Sequence, residues 1–237
     1  GIILNIYFID TLELTYSSDF DDIIKLTKNF KMVDPKKGAG NKEFISTELS
    51  DMGIIIKTRR SSKAELYKNS SKYKLVLRIN PNKFYKPYMK TEHISNIIEF
   101  CDMVERLDMQ IQYCFSGLTI DDFEITRVDL TEDIHGIPED KITQYIRIMR
   151  QLYLTLGFHH NKKLEENTEG FDPDSSFNAV NDSKNVEFVV YNKGHEVRNK
   201  KNSSDEQKEH YKDTMRVEVR CRNCLLYTSP SPRDGAT

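Results

Sequence analysis

Residues 125–134, ITRVDLTEDI, place Arg127, Asp129, Thr131 and Asp133 on one side of an extended chain and Val128 and Leu130 on the other. Polar and apolar residues alternating with period two commit a segment to a half-buried β-strand, because a helix of 3.6 residues per turn would scatter both sets around its surface. Two later segments repeat the pattern. In MRVEVRCR, Val217 and Val219 oppose Arg216, Glu218, Arg220 and Arg222, and in EFVVYNK, Phe188 and Val190 oppose Glu187, Val189, Tyr191 and Lys193. An antiparallel sheet can pack one face on helices and keep the other polar. With these strands as neighbours, Asp129, Glu218, Tyr191 and Lys193 converge on one face.

The rest of the chain alternates strand-like and helix-like stretches. Alternation predicts a strand over 7–16, and SDFDDIIKLTKNF follows as a short amphipathic helix capped by Asp19. Strands are expected at EFISTEL, GIIIKTRR, KAELYKN and YKLVLRI, forming a meander within 44–90 whose outer faces carry basic residues. Thr91 is read as the cap of a helix to about Gln112, with Ile94, Ile97, Ile98, Cys101, Val104 and Leu107 on one stripe. A second helix is read from Pro138 to Leu156, using Ile142, Ile146, Met149 and Leu152, and 158–175 reads as polar loop. The fold class expected is α+β: an antiparallel β-sheet with helices packed on one face. A chain of 237 residues allows one such unit or two intimately packed halves.

Composition narrows the function classes. No apolar run approaches the roughly 18 residues that a membrane helix needs, and the chain is read as cytoplasmic. The net charge is −2, yet residues 57–90 hold eleven Lys and Arg against Glu65 alone. Tyr67, Tyr73, Phe84, Tyr85 and Tyr88 interleave with these cations, a combination that suits tracking a phosphate backbone and stacking on bases. Arg59, Arg60, Lys63, Lys68, Lys72 and Lys74 are the candidate contacts. Cys101 and Cys114 are read as small buried thiols. Residues 224–237, CLLYTSPSPRDGAT, break the pattern and look like a translated sequencing adaptor, so the domain is read as 1–223 and the Cys221–Cys224 spacing is set aside.

The succession ITRVDLTEDI, SKNVEFVVYNKGHEV and DTMRVEVRCRN resembles the rolling-circle replication initiators of plasmids and phages: the Rep family of Gram-positive plasmids and the phage gene II/X family. Arg127, Asp129 and Asp133, then Tyr191, Asn192, Lys193 and Glu196, then Arg216 and Glu218 carry the likeness. The resemblance implies a protein that binds an origin in DNA, as a homodimer in some relatives, and nicks one strand through a tyrosine. A phenol with an ordinary pKa near 10 is a poor nucleophile unless a cation or base stands beside it. By resemblance, Asp129 and Glu218, with Glu196 or Asp133, would hold Mg²⁺ or Mn²⁺. Lys193 would meet the scissile phosphate, and Arg127 and Arg216 would orient carboxylates or the DNA backbone. Tyr191 is the expected nucleophile; Tyr145, Tyr153 and Tyr211 are the alternatives. Many such nucleases carry two histidines separated by one residue, and this chain has none, offering only adjacent His159 and His160, with His195 inside the YNKGHE segment. Phe177 stands where the plasmid group has its tyrosine, which keeps open a non-catalytic DNA-binding module of the same fold.

Overall fold

The period-two segments become the centre of one antiparallel sheet. A computed structural model describes residues 8–33, 42–61, 73–153, 157–160, 172 and 174–222. Within them the strands are β1 (Phe8–Ser18), β2 (Lys31–Val33), β3 (Lys42–Ile45), β4 (Ile54–Arg60), β5 (Tyr73–Ile79), β6 (Glu124–His135), β7 (Phe158–His160), β8 (Ser176–Asn181), β9 (Val186–Asn192) and β10 (Thr214–Arg222). They pair in the order β2-β3-β4-β5-β1-β6-β10-β9-β8-β7, so the three motif strands lie side by side as β6, β10 and β9. Register does the rest. Arg216 stands opposite both Asp133 and Tyr191, and Glu218 opposite Thr131 and Val189, which sends their side chains to one face.

The other face carries the apolar core. Helix α4 (Ile97–Cys114) lays Met103, Leu107 and Ile111 against a cluster that takes in Leu12, Leu14, Leu75 and Leu77. Helix α5 (Glu139–Tyr153) lays Ile142 and Ile146 against Phe177, Ala179, Val190 and Met215. Val128 packs on the first cluster and Ile134 on the second. Both have even numbers on β6, so the two long helices share a face of the sheet, as the alternation predicts. Shorter helices complete the chain: α1 (Phe20–Leu26), α2 (Thr47–Asp51), α3 (Pro81–Tyr85), α6 (Lys193–Asn199) and α7 (Asp205–His210).

Several sequence expectations change. The stripe of α4 is Met103-Leu107-Ile111, not Ile94 to Leu107; Ile97 and Ile98 are 70% and 78% exposed. Asn96 rather than Thr91 caps it, accepting from the Glu99 amide, so the first turn forms before the helix meets the core. The helix at 139–153 ends short of Leu156, and Leu152 is exposed. EFISTEL splits, because the Ser46 hydroxyl accepts from the Leu49 amide and turns the chain into α2. Part of the loop expected over 158–175 is β7, and β8 follows it. Cys101 is exposed and Cys114 half-buried, so neither is a core thiol. KAELYKN and the tail 224–237 lie outside the described residues.

Phe177 belongs wholly to the core, 1% exposed on the helix face. Phe177→Ala should cost about 3–5 kcal/mol. The change is read as a lower urea midpoint at an unchanged slope.

Candidate functional site

Asn192 ends β9 and caps α6, accepting from the His195 amide at 2.9 Å. Lys193 therefore leaves the strand and enters the site from the first turn of a helix, not from strand alternation. Gly194 makes this possible: a Cβ there would sit 2.7 Å from the Tyr211 carbonyl oxygen, so the α6 backbone could not approach the residue that follows α7. Together α6 and α7 form one wall of a cavity of about 560 Å³, whose floor is the polar face of β1, β6, β10 and β9. Asp10, Arg127, Asp129, Tyr191, Lys193, Arg216 and Glu218 line it. The lining holds nine Lys and Arg against five Asp and Glu.

The floor is a lattice of buried ion pairs. Arg127 donates through Nε and Nη2 to both oxygens of Asp129, at 2.7 and 2.6 Å. Arg216 does the same to Asp133, at 2.6 and 2.7 Å, and Arg220 places two donors on Glu218 Oε2. The other oxygen of Glu218 accepts from the Tyr191 hydroxyl at 2.7 Å. Lys193 donates to Glu196 at 2.6 Å and lies 5.8 Å from the Tyr191 ring centre and 5.4 Å from that of Tyr211. His93 stacks on Phe8 with ring centres 3.6 Å apart, its Nε2 3.6 Å from Asp133.

These contacts set the protonation states. Burial pushes the Tyr191 phenol well above its ordinary value, and its bond to Glu218 adds to this while Arg216 opposes it. Burial acts to raise Glu218 as well, but Arg220 and the Tyr191 hydroxyl hold it below the usual carboxylate range. Burial and Arg216 lower the Lys193 ammonium against the pull of Glu196. Arg78 is lowered by burial and by Arg127, and among the described residues it has no ion pair. It is a cation in a cation-rich wall, open to an incoming anion.

The expected residues divide by position. Asp129, Tyr191, Lys193, Glu196, Arg127, Arg216 and Glu218 share the cavity, while Asp133 lies beneath it, bound to Arg216. The carboxylates are not gathered as a ligand set. Each is engaged by a guanidinium or ammonium, and among the described residues no three His, Cys, Asp or Glu are placed to hold a cation. Of the basic contacts, Lys63, Lys68 and Lys72 lie outside the described residues. Arg59 points to the polar face, but Arg60 turns to the helix face beside Tyr73, and Lys74 is 7% exposed. Of the alternative phenols, Tyr211 is in the cavity and Tyr145 is on the exposed side of α5. His195 faces Asn199 on α6, outside the cavity lining.

Asp10 was not singled out by sequence, although an acid inside FIDTLELTY was a visible signal. A register shift between Ile9 and Thr11 bulges β1 and delivers Asp10 to the cavity.

Removing one partner of the Arg216–Asp133 pair strands a buried charge, so Asp133→Asn should destabilise by about 3–5 kcal/mol at pH 7. Burial would raise the Asp133 carboxyl, but Arg216 and nearby His93 hold it far below the usual range. A depressed carboxylate contributes stability above its unfolded pKa, near 4, and loses it as pH falls toward the folded value. Urea midpoints measured from pH 5 downward should therefore fall more steeply for the wild type than for the variant.

Residues 9–229 match the N-terminal family of a phage replication-associated protein, a span that ends inside the stretch 224–237. No curated protein sequence matches the chain. Among solved structures, a rolling circle replication initiator protein from Geobacillus stearothermophilus aligns at 12% identity and a TM-score of 0.40, covering 91% of this chain and 74% of that one. The family match spans the sheet, both long helices and every cavity residue named above: the chain belongs to the phage replication-associated protein family of Rep-type rolling-circle initiators.

Proposed function

We propose that the cavity is the strand-cleaving centre of a replication initiator that binds the origin of a small phage or plasmid and nicks one DNA strand through Tyr191. The observation that carries this reading is the Tyr191 hydroxyl, bonded to Glu218 at 2.7 Å on a floor of guanidinium groups. Attack of the Tyr191 oxygen on phosphorus forms a phosphotyrosine at the 5′ end of the cut and breaks the bond to the 3′-oxygen. Glu218 is placed to accept the phenolic proton. Lys193 and Arg216 stand where negative charge would grow on the phosphate oxygens, and preorganised cations are the most effective form of that stabilisation. Arg78 and Arg127 would hold the adjoining backbone phosphate.

Mg²⁺ or Mn²⁺, implied by the family likeness, would require Asp129 and Glu218 to leave Arg127 and Arg220 first, and no step is assigned to it. A binding module without cleavage is the second reading, favoured by the raised Tyr191 phenol and the fully paired carboxylates.

Supercoiled DNA carrying the protein's own replicon, incubated with Mg²⁺ or Mn²⁺, should yield relaxed circles with protein on the 5′ end. Tyr191→Phe should remove the covalent adduct while leaving DNA affinity within a few fold. Binding without adduct by the wild type would establish the second reading. Adduct formation by Tyr191→Phe would move the nucleophile to another phenol.

Affinity should fall with salt. Arg78→Gln should flatten the slope of log affinity against log salt by about 0.7 for a single strand or 0.9 for duplex. Arg60→Gln, on the opposite face, should leave it unchanged, and equal effects of the two would remove the cavity from the DNA path.

A further inference from the structure

The floor carboxylates differ in one respect. Asp129, Asp133 and Glu218 each receive two hydrogen bonds from a guanidinium, which fixes them as anions. Asp10 receives none among the described residues. Its nearest cation is Arg216, whose Nη1 stands 3.7 Å from Asp10 Oδ1, and that guanidinium is already committed to Asp133. The β1 bulge is what brings this carboxyl into the cavity at all.

Position in the sheet adds a second constraint. Asp10 comes from β1 and Tyr191 from β9, with β6 and β10 between them. At about 4.8 Å per strand the two backbones are roughly 14 Å apart, and both side chains point into the same space. A phosphodiester lying over Arg216 would thus meet the phenol at one end and Asp10 at the other. In-line displacement demands this: the entering and leaving oxygens occupy opposite sides of phosphorus.

Resting on the proposed strand cleavage, we propose that Asp10 is the general acid of the reaction, giving its proton to the 3′-oxygen as that oxygen leaves. The step balances. The Tyr191 O–P bond forms and the P–O3′ bond breaks; the phenolic proton goes to Glu218 and the Asp10 proton to the freed 3′-hydroxyl. Rejoining runs the same transfers backwards, with Asp10 as base and Glu218 as acid. The electrostatics agree with this division. Burial, together with Glu218 and Asp129, raises the Asp10 carboxyl against the pull of Arg216 and Lys193, while Glu218 is lowered. Two carboxyl groups driven apart in this way are suited to opposite roles.

The test compares two oligonucleotides spanning the mapped nick, one natural and one with sulfur replacing the bridging 3′-oxygen, since a thiolate leaves without protonation. Asp10→Asn should cut the natural strand about 10²–10⁴-fold more slowly and the sulfur strand within a few fold of the wild type. It should also lose the fall in cleavage rate at high pH that the wild type shows as its acid deprotonates. Affinity for uncut DNA and the urea midpoint should change little, which separates chemistry from folding. Equal slowing on both strands, unchanged cutting of the natural strand, or loss of Mn²⁺ binding in electron paramagnetic resonance would overturn the assignment. A wild type that cuts neither strand would overturn the proposed cleavage itself.

Discussion

The buried pair between Arg216 and Asp133 is the contact on which the polar face depends. The two residues are direct cross-strand partners on β10 and β6, their side chains 4% and 6% exposed, and two short hydrogen bonds join them. A guanidinium taken from water at such depth is tolerated only with its donors met. Once anchored by Asp133, Arg216 presents its remaining surface to Phe8, Tyr211 and Asp10, and so sets the height of the cavity floor. Tyr191, directly opposite on β9, meets a fixed positive charge.

The same logic repeats along the sheet. Arg127 with Asp129 and Arg220 with Glu218 are pairs two residues apart on one strand, so each strand brings its own counter-ions to the face it shares with its neighbours. Neutralised pairs let charges crowd without net repulsion. What stays uncompensated then acquires meaning, and among the described residues of the cavity it is Arg78 and Asp10, one cation without an ion pair and one carboxyl without a hydrogen-bond donor. A sheet built only for stability would have no use for either.

The opposite face shows how the scaffold is kept rigid. Two long helices cover it with two separate apolar clusters, and β6 contributes to both, through Val128 and Ile134. The strand that carries Asp129 and Asp133 is therefore held by both halves of the core. Edge strands β2 and β7 are three residues each, and short edges offer little template for pairing with another chain.

Much of this was legible in the chain. Period-two alternation identifies β6, β9 and β10 and tells which side chains face away from the core, because the pleat has no other period to offer. The order of the motifs is also a property of sequence alone. Which stripe of α4 turns inward was not legible, since Ile97-Ile98-Cys101 and Met103-Leu107-Ile111 both fit a helix and only contact with Leu12 and Leu77 selects between them. Nor was the pairing of each carboxylate, because Asp129, Glu218 and Asp133 look alike in one dimension and their partners are set by register and depth. The bulge at Asp10 and the close approach of Gly194 to Tyr211 arise from strand mismatch and helix docking, which no local pattern encodes. Sequence determined which residues share a face; tertiary structure decided which charges on that face are satisfied, because satisfaction depends on distances between strands far apart in the chain.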